Sequence, residues 1–182
     1  ILDGRLIRGH DRLAGAAGWF GMTTDTADLA QAERQIGHWD SLAAGPGIAA
    51  RASASLAQYP DSLLSELSQE ITARAVCEAA RRGDDLAGVI VDETADILGV
   101  GIANIVSLVN PQIVVLGGSI GAQGDLLLPR VREAVNGFAQ PISARSVTIR
   151  SSTLATDAGL FGAAYAALLR SDQQEFPLNS LP

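Results

Sequence analysis

The sequence predicts an α/β domain, on two features in the second half of the chain. Leu86 to Val109 reads as one long helix, with apolar residues at Leu86, Val89, Ile90, Ile97, Leu98, Gly101, Ile102, Ile105, Val106 and Val109. That pattern covers more than one face, so the helix should be largely buried. Asn110-Pro111 stops it, because proline disfavours helix in the residue before it. Ile113-Val114-Val115-Leu116 then forms a continuous apolar run, expected of a strand buried on both faces, and Gly117-Gly118 closes it.

The remaining elements follow in order. Leu126 to Asn136 is an amphipathic helix and Val147 to Arg150 a short strand. Asp157 to Leu169 is a helix rich in Ala and Gly, whose small side chains suit close packing on a sheet. Helix, strand, helix, strand, helix implies parallel strands joined by crossover helices. Upstream, Ile1 to Arg8 reads as two short strands around an Asp3-Gly4 turn. Gly9 to Gly21 is a loop with a short helical turn, and polar Thr23 to Gln35 holds a short helix around Ala27–Arg34. Asp40 to Ala57 gives two short helices broken by Gly45-Pro46-Gly47. Pro60-Asp61-Ser62 is a helix-start signal, and Ser68 to Arg81 has helical spacing. Gly83 ends that helix, and Asp84 or Asp85 caps the next. Residues 1–170 form the folded unit and 171–182 a polar tail. A chain that opens without Met inside a hairpin is expected to be part of a longer polypeptide.

Composition narrows the function. The 182 residues are 47% hydrophobic and only 4% aromatic, so the core is built from Ala, Leu, Val and Ile, and disorder is excluded for most of the chain. The net charge is −7, all 13 basic residues are Arg, and no basic cluster offers a nucleic-acid face. Arg81-Arg82 is the densest basic point and should decorate a helix end. A single cysteine, Cys77, excludes an intramolecular disulfide and a cysteine-based zinc site, and reads as a small buried apolar residue. A cytoplasmic location fits. No charge-free apolar run is long enough for a membrane span, and no stretch of this sequence reads as a secretory signal, so none is expected.

Among residues that could carry chemistry, Gly117-Gly118-Ser119 stands out. A glycine pair at the carboxyl end of a strand lets backbone approach a ligand closely, and open α/β sheets bind ligands there. It reads either as a contact to nucleotide phosphate or adenosine, or as a tight strand-to-helix turn. Asp40 is either a hydrogen-bond acceptor for a polyol or a helix N-cap. His38 is a ligand or a packing residue, and Trp19 stacks on a sugar or packs in the core.

The run from Leu98 to Gly118 closely resembles the ROK group of bacterial sugar kinases and repressors. Ser152 to Ala164 resembles that group's closing segment, Asp3 to Gly9 with Ala14-Gly15 its substrate-side hairpin, and Gly45 to Ala49 its Ser-Gly-Pro-Ala segment. The resemblance runs collinearly over residues 1–169. It implies an actin-like ATPase (ribonuclease H-like) lobe, a mixed sheet with helices on both faces. It further implies a homodimeric kinase that closes over ATP, Mg2+ and a sugar, whose hydroxyl is deprotonated by an Asp and attacks the γ-phosphate. Gly117, Gly118 and Ser119 would then bind nucleotide, and Asp40 and His38 substrate. The alternative is a repressor of the same group, with a DNA-binding helix-turn-helix upstream.

Departures from the group are specific. Its sugar-binding Glu and its His, which binds sugar or zinc, are replaced by Ala16 and Trp19. Its cysteine zinc motif has no cysteine in Asp25 to Gly37, so no structural zinc is expected. His38 stands at the last cysteine position, and Asp40 at that of a second sugar-binding Glu. The catalytic Asp and the first phosphate-binding glycine motif belong to the group's N-terminal half. No catalytic residue is therefore assigned here, and this segment alone is expected to be inactive.

Overall fold

Asp85–Val109, the long helix (α4), is the axis on which most of the other described helices pack, and its boundaries follow from capping chemistry. The computed structural model describes residues 1–2, 5–23, 36–67 and 69–171. In chain order the described helices and strands are α1 (His38–Ala43), α2 (Gly45–Ser55), α3 (Ala73–Arg81), α4, β1 (Ile113–Leu116), α5 (Gly118–Gly121), α6 (Gly124–Phe138), α7 (Pro141–Ser146), β2 (Thr148–Ser151) and α8 (Ala158–Ser171). Short 3-10 turns lie at Ala17–Trp19, Leu56–Gln58, Leu63–Glu66 and Ala155–Asp157. The expected helix around Ala27–Arg34 lies outside the described residues, as do Asp3 and Gly4 at the tip of the expected hairpin. Either side of that tip, Leu2 and Arg5 form a single antiparallel bridge, with both N–H···O bonds at 2.9 Å.

Gly83, at φ 83°, ends α3, and the N–H groups of Arg82 and Gly83 return to Ala79 and Ala80 carbonyls at 3.0 Å. Asp84 then caps α4. Its carboxylate accepts from the N–H of Ala87 at 2.8 Å, from the N–H of Leu63 at 2.6 Å and from the Ser62 hydroxyl at 3.0 Å. One buried side chain thus fixes both the helix start and the preceding loop. Burial alone would push this carboxyl up. The N–H donors of Ala87 and Leu63, the Ser62 hydroxyl and the nearby Arg82 outweigh it, and the group titrates below its ordinary range. At its other end α4 stops on Asn110 in the left-handed conformation, φ 47°, just before Pro111.

Two glycines set how closely α4 meets its neighbours. A Cβ at Gly99 would collide with the Cβ of Ala134 on α6, and one at Gly101 with the indole of Trp39 on α1. Around them Leu86, Ile90, Ile102, Val106, Val131 and Val135 are almost fully buried. Arg130 on α6 bridges to Asp96 at 2.7 Å and Asp92 at 3.1 Å, holding the same two helices on their outer side.

β1 and β2 are parallel, with Ile113 opposite Thr148 and Leu116 opposite Ser151, and α5, α6 and α7 form the crossover. The predicted α/β order therefore holds. The burial expected of β1 does not. Val114 and Leu116 pack on the core, whereas Ile113 and Val115 are 42% and 52% exposed. The apolar run alternates in burial because, among the described residues, the core covers one face of the strand pair. α8 likewise differs from expectation. Its Leu160, Phe161 and Tyr165 are 72%, 56% and 64% exposed, rather than packed on the sheet. Gly45-Pro46-Gly47, read as a break, is instead the first turn of α2, since proline fits the start of a helix.

Gly99→Ala should lower the free energy of unfolding by about 1–3 kcal/mol through overpacking against Ala134. In the same helix Gly88→Ala meets nothing within 4 Å and should raise it by about 0.5–1 kcal/mol. Urea titration of both variants checks this, and effects of the same sign would refute it. Asp84→Ala should cost about 1–3 kcal/mol at neutral pH. Because the folded carboxyl titrates below its unfolded value, its contribution is present above about pH 4 and fades as pH falls through the lower folded value. Wild type and variant should therefore converge in stability in acid.

Candidate functional site

The glycine turn after β1 leads into Ser119, which lines a cleft that Gly117 and Gly118 themselves do not. Gly118 sits at φ 67°, a conformation that favours glycine, and starts the short α5. Gly117, at φ −109° and ψ −175°, is ordinary extended backbone. A Cβ at either position would meet nothing within 4 Å, so both backbones face open space. Ser119 follows on the rim of a cleft of about 820 Å³. Its apolar wall comes from Pro46 and Ala49 of α2, Ile71, Ala73 and Cys77 around the start of α3, and Ile120 and Ala122 beyond the glycine turn; Thr156 also lines it. Cys77 is buried as expected, and burial pushes its thiol up. It also forms part of this wall.

The polar side of the cleft was not legible from local pattern. Arg81, expected only to decorate a helix end, reaches Asp125 at the start of α6. Its Nε donates to one carboxylate oxygen at 2.8 Å and its Nη2 to the other at 2.7 Å. The same Nη2 donates to Gln123 Oε1 at 2.8 Å. Hydrogen bonding to Arg81 holds the Asp125 carboxyl below its usual range, and the reciprocal bond raises the guanidinium. Arg74 and Glu78, paired at 2.9 Å, complete the rim.

The substrate-side residues form a second group. Asp40 lies in the first turn of α1, whose N-cap is Gly37, so Asp40 is not the N-cap. Its carboxylate is exposed and has no hydrogen-bond partner among the described residues. Two residues earlier, His38 Nδ1 accepts the N–H of Met22 at 2.9 Å, which anchors the loop, so only Nε2 is left for a further contact. Gly37 and Gly18 meet backbone to backbone, and a Cβ at Gly18 would lie 3.1 Å from that of Asp40. The structure thus brings the Ala14–Gly18 segment and the His38–Asp40 segment together. Trp19 is 58% exposed and does not pack in the core. The packed indole is that of Trp39, which stacks on Phe20 at 5.8 Å and donates from Nε1 to the Ile97 carbonyl at 2.9 Å. A small apolar cavity of about 210 Å³ lies between Gly18, Trp39, Asp40, Leu98 and Ile120. Ile120 lines both cavities, so the two candidate pockets share a wall. Among the described residues no group of three His, Cys, Asp or Glu is placed to hold a metal ion. None of the described helices is long and apolar enough to cross a membrane.

Parallel strands joined by a crossover of three helices, with a glycine turn after the first strand, make an α/β lobe, and the solved structures it superposes on include sugar kinases of the actin-like fold. A ROK glucokinase from Streptomyces griseus, solved with glucose and AMPPNP, superposes with a TM-score of 0.75 at 24% identity, over 89% of this chain and 54% of that one. The ROK family model matches residues 1–170, and the chain belongs to the ROK family. The glucokinase of Halalkalibacterium halodurans is 27% identical over 178 residues, 96% of this chain and 54% of that protein. The xylose repressor of Caldicellulosiruptor bescii is 29% identical over 180 residues, 97% of this chain and 44% of that protein. The chain spans about half the length of the curated relatives it matches.

Gly118→Val, which forces a β-branched residue to φ 67°, should destabilise the fold by about 1–3 kcal/mol. Gly117→Val carries no such conformational penalty and should leave the thermal midpoint close to wild type. Equal losses in a melting experiment would contradict the geometry of the turn.

Proposed function

We propose that this chain is the C-terminal, nucleotide-binding lobe of an ATP-dependent sugar kinase that transfers the γ-phosphate to a sugar hydroxyl. The observation that carries the proposal is the cleft ending at Ser119 beside the open backbones of Gly117 and Gly118, with the Asp40 cavity behind Ile120. The apolar wall of Pro46, Ala49, Ile71 and Ile120 suits a flat base, and the glycine turn suits the ribose-phosphate end. Asp40 would accept hydrogen bonds from sugar hydroxyls, and His38 Nε2 would face the same side. Mg2+ would arrive on the nucleotide phosphates, as magnesium commonly does. The remaining carboxylate and phosphate-binding groups of a phosphoryl-transfer site would come from the rest of the polypeptide. The protein would act in the cytoplasm as a homodimer.

A second reading is a regulator that binds sugar without turning over ATP. It is supported by the similarity to the xylose repressor of Caldicellulosiruptor bescii, which runs over 97% of this chain; Ala16 and Trp19, where a carboxylate and an imidazole would be expected, do not separate the two readings. Incubation of the full-length protein with Mg-ATP and a panel of hexoses and N-acetylhexosamines separates the two. ADP release with at least one sugar supports the kinase. Sugar binding without ADP release from any of them supports the regulator. For the site itself, Gly117→Val should raise the KM or Kd for ATP roughly tenfold or more by obstructing the approach of the ligand, about 1.4 kcal/mol, with folding intact. Unchanged ATP affinity would sink the assignment of this turn.

A further inference from the structure

Gln123 occupies the N-cap position of α6, yet its side chain caps nothing. Glutamine is not among the favoured capping residues, and here the amide is turned aside to Arg81. The direction is set by chemistry. A guanidinium can only donate, so the atom facing Arg81 Nη2 at 2.8 Å is the Gln123 oxygen. Arg81 is in turn fixed by its two-pronged bond to Asp125. The Gln123 Nε2 amino group therefore points the other way. One of its N–H groups makes a long 3.4 Å bond to the Ser119 carbonyl, and the other has no partner among the described residues. Gln123, Ser119 and Arg81 all line the same cleft. The result is an amide donor of fixed polarity beside an apolar slot.

We infer that Gln123 reads the base of the bound nucleotide, donating from Nε2 to a ring-nitrogen acceptor of a purine, and that Arg81, held by Asp125, is the positioning residue that fixes this polarity. The inference rests on the nucleotide reading of the cleft. An amide held by Arg81 cannot flip to present its oxygen without setting its NH2 group against the guanidinium. The contact therefore selects for an acceptor on the ligand, and it rejects a base that offers C–H at that point, because the N–H would then be left unpaired.

The test is Mg-ATP against its 1-deaza, 3-deaza and 7-deaza analogues, titrated calorimetrically into the full-length protein. Wild type should bind one analogue about three- to tenfold more weakly than ATP, the range of one neutral hydrogen bond. Gln123→Leu should weaken ATP and abolish that penalty, so that ATP and the analogue bind alike. Arg81→Met leaves the amide in place but frees it to rotate, and should shrink the penalty while the thermal midpoint changes little. A merely structural role for either residue would weaken all four nucleotides equally. Four equal affinities in wild type, or a penalty that survives Gln123→Leu, would overturn the base-reading role alone. A penalty untouched in Arg81→Met would overturn the positioning role. A wild-type protein that binds no nucleotide would overturn the nucleotide reading and this inference with it.

Discussion

The close approaches made possible at Gly99 and Gly101 are the constraint from which both candidate pockets descend. A long helix presents side chains all round, and neighbouring axes ordinarily stand 8–10 Å apart. Where α4 has no Cβ, α6 and the Trp39 ring come closer than any other residue would allow. The first contact draws α6 against α4 along their shared length. Its start, carrying Gln123 and Asp125, is thereby placed opposite Arg81 on α3. The second contact seats Trp39 and so orients α1, which carries Asp40 on its first turn. Two hydrogen atoms in place of side chains thus position residues in two separate cavities. In a helix interior glycine costs about 0.5–1 kcal/mol relative to Ala, and the packing gained on both sides offsets it.

Polar groups set direction where apolar packing sets distance. Asp84 joins the loop at Ser62–Leu63 to the start of α4 through three accepted hydrogen bonds, and it is buried enough that an unpaired charge there would be costly. Arg51 on α2 donates to the Leu42 carbonyl and, at 2.5 Å, to the Thr94 hydroxyl, which itself donates to Ile90 at 2.7 Å. α1, α2 and α4 are thus locked at one point. Arg130 does the same for α4 and α6 at the surface, where solvent screening leaves an ion pair worth little by itself. Its contribution is alignment of two helices already held by Gly99.

Much of this was legible in the sequence because it is local. Periodicity gave α4, proline gave its end, and Gly83 with Asp84 gave the junction between α3 and α4, since caps are chosen by residues a few positions apart. The parallel strands followed from element order. What escaped is non-local. Arg81 and Asp125 are 44 residues apart, and no pattern near either announces the other. The one-sided cover of β1 depends on what packs across the sheet, and a continuous apolar run is compatible with that arrangement or with full burial. Gly99 and Gly101 look like neutral members of an apolar stripe until their neighbours in space are known. Around Asp40 the residues themselves were readable. Their meeting, Gly18 against Gly37 and Asp40, was implied only by resemblance to the ROK group.

The two pockets have unequal chemical completeness, and that asymmetry bears on what the lobe contributes. On the proposed nucleotide side, backbone exposed at Gly117 and Gly118 and an amide polarised by Arg81 are fixed features that need no further residue to hold them. On the other side, one exposed carboxylate at Asp40 stands against a loop whose positions 16 and 19 carry Ala and Trp. A single carboxylate in water discriminates poorly among polyols, because each sugar hydroxyl it binds gives up an equivalent bond to solvent. If Asp40 binds a sugar as proposed, selectivity therefore has to come from other groups brought against it. Ile120, which lines both cavities, is the point at which they adjoin. A larger side chain there would therefore be felt in both cavities at once, because neither pocket can change this wall without changing the other's.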